Sequence, residues 1–175
     1  MRAPPLLPEE TLYRVMRFAR FNGISELVVA GVFGLICAAS KDVPGAAIGV
    51  LVAGAGALEL HGVGLLSQGD KRGVSWLIGS QLYLLVIVLA YVGYRTQHLD
   101  LESVRMVLSS EQRETIAAAG LDENKFLRIV ANISNAIFGV ITFLYQGGMA
   151  LYYHRRRAPI EAALEMDQAD ETEVA

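Results

Sequence analysis

The chain has 175 residues, of which 53% are hydrophobic and 19% charged, and its mean hydropathy is +0.39. That composition excludes an ordinary soluble domain, and a net charge of −3 with no basic face excludes nucleic acid as a partner. Cys37 stands alone, so no intrachain disulfide can form.

Residues 1–10 hold three prolines and predict an irregular, exposed tail. Residues 11–20 carry Arg14, Arg17 and Arg20 at helical spacing among apolar neighbours, an interfacial basic segment that acts as a topology signal. A cleaved leader is not expected, because the basic region is too long and Glu26 would interrupt the apolar core.

The first span is predicted over 21–39, since about 20 residues at ~1.5 Å each cross a ~30 Å hydrocarbon core. Glu26, Ala30 and Gly34 fall on one ridge of it, so a carboxyl shares a face with small residues. A very short hairpin leads to the second span, 44–67, and forces the two to be antiparallel neighbours. Gly45, Gly49, Ala53, Gly56 and Gly62 let another backbone come close, as membrane helices require. Glu59 lies three residues from both Gly56 and Gly62, on that packing face. His61 is two residues further on, rotated by ~200°, so the two side chains need different partners.

A tight polar loop precedes the third span, 73–94, which begins near Trp76, ends at Tyr91 and Tyr94, and carries Gln81 inside. In the long connection that follows, Ser109 and Gln112 fit a capping box and predict a short amphipathic surface helix over 109–119. The fourth span, 126–153, has the clearest periodicity. Asn132, Asn135, Gly139, Thr142, Gln146 and Met149 recur at steps of three and four, a stripe that faces other helices and suggests a hydrated seam. A basic stop at His154–Arg157 leads into 158–175, whose acidic end reads as disordered.

The expected fold is therefore all-α: an integral membrane four-helix bundle with a short surface helix between spans three and four. Lysines and arginines number nine on the side of the termini and six on the other, which places both termini in the cytoplasm, of a bacterial inner membrane by default.

Each span offers a polar group to one layer: Glu26, Glu59 with His61, Gln81, and Gln146, extended outward by Thr142, Asn135 and Asn132. A charge near mid-membrane costs ~2.5–3.5 kcal/mol even on the lenient insertion scale, so such groups usually have partners and roles. One reading is a path for protons, an ion or a small polar solute, in a homo-oligomer because four spans enclose little space. A second is a non-catalytic accessory subunit bound to another membrane protein. Packing glue is the plainer alternative, with Glu59 bonded to Gln146, Asn135 or Gln81. No catalytic group stands out and an enzyme is the less favoured reading. No metal site is expected, since Glu59 and His61 are not at the i, i+3 spacing of bundle metal sites, and no cofactor is required.

The stretch Glu59–Gly73, ELHGVGLLSQGDKRG, resembles the close of the second helix in the DoxX-like family of small four-span membrane proteins. His61 stands where that family more usually has an apolar or small residue, and the long third connection departs from its pattern. The resemblance implies a four-span architecture and a membrane-redox or accessory role, the third functional reading.

Overall fold

A computed structural model describes residues 7–99, 101, 105, 109–118, 120 and 122–174 of the chain. Among them every regular element is helical: α1 (Pro8–Ala39), α2 (Val43–Ser67), α3 (Arg72–Gln97), α4 (Ser110–Ala118), α5 (Glu123–Arg155) and α6 (Arg157–Val174). Four of these, α1, α2, α3 and α5, are long and apolar enough to cross a membrane. Their outer surfaces keep large apolar side chains exposed, among them Val29 and Leu35 on α1 and Ile137 and Phe143 on α5. In water such faces would be a liability; against lipid they need no cover. The protein is an integral membrane protein.

Local chemistry sets the helix ends. Pro8 opens α1 with Glu9 and Glu10 in its first turn, where a fixed φ and negative charge both favour a helix start. At its C-terminus the Lys41 N–H donates to the Ala38 carbonyl (3.1 Å) and the Asp42 N–H to the Cys37 carbonyl (2.9 Å). That double bond pattern is a Schellman turn, and it puts Lys41 at φ +60°, a conformation that ordinarily favours glycine. Asp42 then caps α2 by accepting from the Gly45 N–H at 3.0 Å. The same turn closes α2, here with Gly69 at φ +76°. Asp70 begins the next helix by accepting from the Arg72 N–H at 2.9 Å. The Arg72 guanidinium and amide together hold the Asp70 carboxyl below the usual carboxylate range.

The described residues form two compact units. The first, 1–87 with 144–175, contains α1, α2, most of α3, the end of α5, and α6. Its core joins Val15 and Ala19 of α1, Val63 and Leu66 of α2, and Val74 and Leu77 of α3 to Met149 and Tyr153 of α5 and Ile160 and Leu164 of α6. The second, 88–143, holds the end of α3, α4 and the first two thirds of α5. There the Ser109 hydroxyl accepts from the Gln112 N–H (3.3 Å) while the Gln112 side chain accepts from the Ser109 N–H (3.0 Å), a closed capping box. Arg105 ties this region to the start of α5 through Glu123 (2.9 Å) and Asn124 (2.8 Å).

Two expectations about the tails are corrected. Residues 1–6 lie outside the described residues, but 8–10 are not irregular: they open α1, which runs unbroken through 11–20 into the first span. Residues 157–174 are helical rather than disordered. The reason is a short apolar stripe, Ile160, Ala163 and Leu164, at i, i+3, i+4 spacing ahead of the acidic end. It buries against the face of α1 formed by Thr11, Val15 and Ala19, and Lys71 adds an exposed ion pair to Glu165 at 2.6 Å.

Within the first unit the helices meet at glycines. A Cβ on Gly49 would stand 2.5 Å from the Gly34 Cα, and one on Gly73 would stand 2.6 Å from the Gly62 carbonyl oxygen. Gly45 packs beside Cys37 and Asp42. The small residues of α2 therefore serve two neighbours: Gly49 and Gly56 admit α1, Gly62 admits α3, and Ala53 lies between, half-buried. Gly49→Ala is expected to cost ~1–3 kcal/mol, because backbone cannot yield as a side chain would. Gly64→Ala, with open space around it, is expected to be neutral or stabilising by ~0.5–1 kcal/mol. Thermal unfolding of both variants in one detergent checks the contrast.

Candidate functional site

A second close approach of α1 and α2 sets the site. A Cβ on Gly56 would lie 2.6 Å from the Gly23 carbonyl oxygen and 2.9 Å from the Leu27 nitrogen. Three residues beyond each glycine stand Glu26 and Glu59, so the contact that brings the backbones together also brings the carboxyls together. One side chain joins them. The Asn22 Nδ2 donates to Glu26 Oε1 at 2.9 Å and to Glu59 Oε2 at 2.7 Å. From α5 the Tyr153 hydroxyl donates to Glu59 Oε1 at 2.6 Å, and the Tyr145 hydroxyl lies 3.4 Å from Asn22 Oδ1.

Glu59, Tyr153 and Gln81 are fully buried, whereas Glu26 and Asn22 are half-buried. Both oxygens of Glu59 accept a hydrogen bond. Glu26 Oε2, both amide atoms of Gln81 and the Oε1 of Gln146 are buried with hydrogen-bonding capacity left over. The Gln81 amide, buried at 0% exposure, makes no side-chain hydrogen bond. Among the described residues no Lys, Arg or His forms an ion pair with either carboxyl. Nor do three or more His, Cys, Asp or Glu side chains converge as metal ligands would.

Of the residues singled out from the sequence, Glu26, Glu59, Gln81 and Gln146 lie in this first unit, buried or half-buried. His61 is not in the cluster. It is exposed, edge-on to the Trp76 ring with centroids 4.9 Å apart. The two-residue offset from Glu59 sends it to the outer surface, where an aromatic neighbour is its partner. Asn132, Asn135 and Thr142 belong to the second unit. There Thr142 is buried, Asn135 is half-buried with its Nδ2 3.4 Å from the Thr96 hydroxyl, and Asn132 is exposed. The partners named for Glu59 as packing glue, Gln146, Asn135 and Gln81, are not its hydrogen-bond partners; Asn22 and Tyr153 are.

Asn22 and the two tyrosines were missed by sequence reasoning, although signals for two of them were present. Asn22 precedes Glu26 by four residues, the spacing of neighbours on one helix face. Tyr153 is the next step of the stripe, four residues after Met149.

The fold and site together define a class: a helical integral membrane protein with a hydrogen-bonded carboxyl pair between its first two membrane-crossing helices. Comparison with family models, with curated proteins and with solved structures gave no match.

Proposed function

We propose that this protein moves protons across its membrane, with Glu59 and Glu26 as the groups that carry them. The observation that supports this reading is the single Asn22 amide held between two carboxyls, neither of which has a cationic partner among the described residues. In a membrane-crossing segment an ionisable group without such a partner is a functional group by default, and a proton is the counter-charge open to this pair. The Tyr153 hydroxyl can both donate and accept, so it extends the relay from Glu59 toward α5. The spare acceptors and donors of Glu26, Gln81 and Gln146 are places where water can join it. In this reading both termini face the cytoplasm, on the count of flanking Lys and Arg, in a bacterial inner membrane.

The test is proton entry into liposomes carrying the purified protein, under an imposed potential, beside Glu59→Gln and Glu26→Gln variants that elute and melt like the parent. Flux in the parent is expected to fall at least ~10-fold in Glu59→Gln, the loss typical of removing a positioned acid–base group. A parent with no flux above empty liposomes sinks the reading.

A second reading rests on Asn132, an exposed amide well inside α5. A polar group on a lipid-facing helix surface is normally satisfied by another helix. We propose that this face meets a second copy of the chain or another membrane protein. Cross-linking through a cysteine placed at Asn132, in native membranes, tests it.

A further inference from the structure

The N-terminal part of α1 has two faces. Thr11, Val15 and Ala19 are buried, the last two in the core that α1 shares with α6. The opposite face leaves Tyr13 66% and Phe21 72% exposed. On that side lies an open cleft of about 670 Å³, lined by Tyr13, Arg14, Arg17, Phe18, Phe21 and Tyr152. Three of its walls are aromatic side chains of α1, and the fourth is Tyr152 of α5, whose ring centroid is 6.0 Å from that of Phe18. The Arg156 guanidinium sits over the Tyr152 ring, 3.8 Å from its centroid, which fixes that wall and sets a third positive charge beside the cleft.

We infer that this cleft binds the headgroup of an anionic phospholipid. Depth is the first argument. The apolar run from Phe21 to Ala39 fills a ~30 Å core at ~1.5 Å per residue. Arg17 then lies ~6 Å and Arg14 ~10 Å beyond its edge, at headgroup level. Charge is the second. Arg17 makes no ion pair among the described residues, whereas Arg14 holds Glu10 at 2.7 Å in an exposed pair that a phosphate can displace or share. An arginine fork matches phosphate oxygens in two-point contact. The aromatic walls are the third. Phe21 at the core edge and Phe18 within ~5 Å of it suit the glycerol and upper acyl region of a lipid, whereas a free anion has no use for them. A charge that serves only as a topology signal needs neither the walls nor the concavity.

The test uses the full-length protein in a neutral detergent, titrated with phosphatidylglycerol, phosphatidylcholine or inorganic phosphate. Binding is followed by native mass spectrometry and by the thermal midpoint. Phosphatidylglycerol is expected to bind at least ~10-fold more tightly than phosphatidylcholine and to raise the midpoint. Arg17→Gln is expected to weaken it ~5-fold, as befits one arginine at a membrane surface. Arg14→Gln should weaken it less, Arg17→Lys should keep most of it, and Arg128→Gln, at an exposed position near the start of α5, should leave it unchanged. Equal binding of both lipids, an unaffected Arg17→Gln variant, or a matching response to inorganic phosphate would each overturn the inference. Arg17 is exposed, so its variants are expected to fold, and an unchanged midpoint without lipid confirms that they do.

Discussion

Asn22→Leu is expected to be the most destabilising polar-to-apolar change in the first membrane-crossing helix. Leucine shares the branching and heavy-atom count of asparagine, and the half-buried site leaves room for its extra bulk, so the hydrogen bonds are the main thing removed. Two donors to carboxyl oxygens disappear together, at 2.9 and 2.7 Å, and the Tyr145 hydroxyl loses an acceptor. A hydrogen bond to a charged group contributes ~1.5–3 kcal/mol, and leaving a buried one unmade costs more than the bond is worth. Because Asn22 is only half-buried, the total is expected near ~3–5 kcal/mol rather than higher. At ~2–4 °C per kcal/mol for a chain of this size, the thermal midpoint should fall by roughly 10 °C. The decisive comparison is the pair with Glu59→Leu. If the bridge carries the effect, the double variant is destabilised by less than the sum of the singles, with a coupling of ~0.5–3 kcal/mol. Simple additivity would mean that Asn22 and Glu59 do not meet in solution.

The membrane-crossing helices were legible because crossing a bilayer demands some 20 apolar residues in a row, and no soluble helix of this chain competes with that signal. The capping box at the start of α4 was legible too, since the Ser109–Gln112 pair follows a local rule that needs no knowledge of the rest of the fold. Glu59 stood out for its depth, and its offset from His61 followed from 100° per residue alone. What the sequence hid was which groups meet. Glu59 had buried amides on two other helices as plausible partners, and only the docking at Gly23 and Gly56 selects Asn22. Helix α6 was hidden for a different reason. Its acidic end dominates the composition of the tail, while three residues, Ile160, Ala163 and Leu164, decide its structure by burial. Composition averages over a segment; packing acts through the few side chains that touch.

Tyr153→Phe should separate the two roles that this tyrosine combines. Its ring belongs to the core shared by Val15, Ile160 and Leu164, and its hydroxyl donates to Glu59 at 2.6 Å. Phenylalanine keeps the first and deletes the second, so a loss of ~1.5–3 kcal/mol is expected, the contribution of one hydrogen bond to a charged acceptor. In a Glu59→Leu background the same change should cost less than ~0.5 kcal/mol, because no carboxyl remains to receive the bond. Leu164→Ala offers the contrast. It opens a cavity on the α6 side of the same ring, at ~2–5 kcal/mol, and leaves every hydrogen bond of the carboxyl pair in place. If Glu59 and Glu26 carry protons as proposed, Tyr153→Phe slows flux and Leu164→Ala slows it only as far as folding is lost. Equal slowing at equal stability loss would mean that Tyr153 acts through packing alone, and the relay would then end at Glu59.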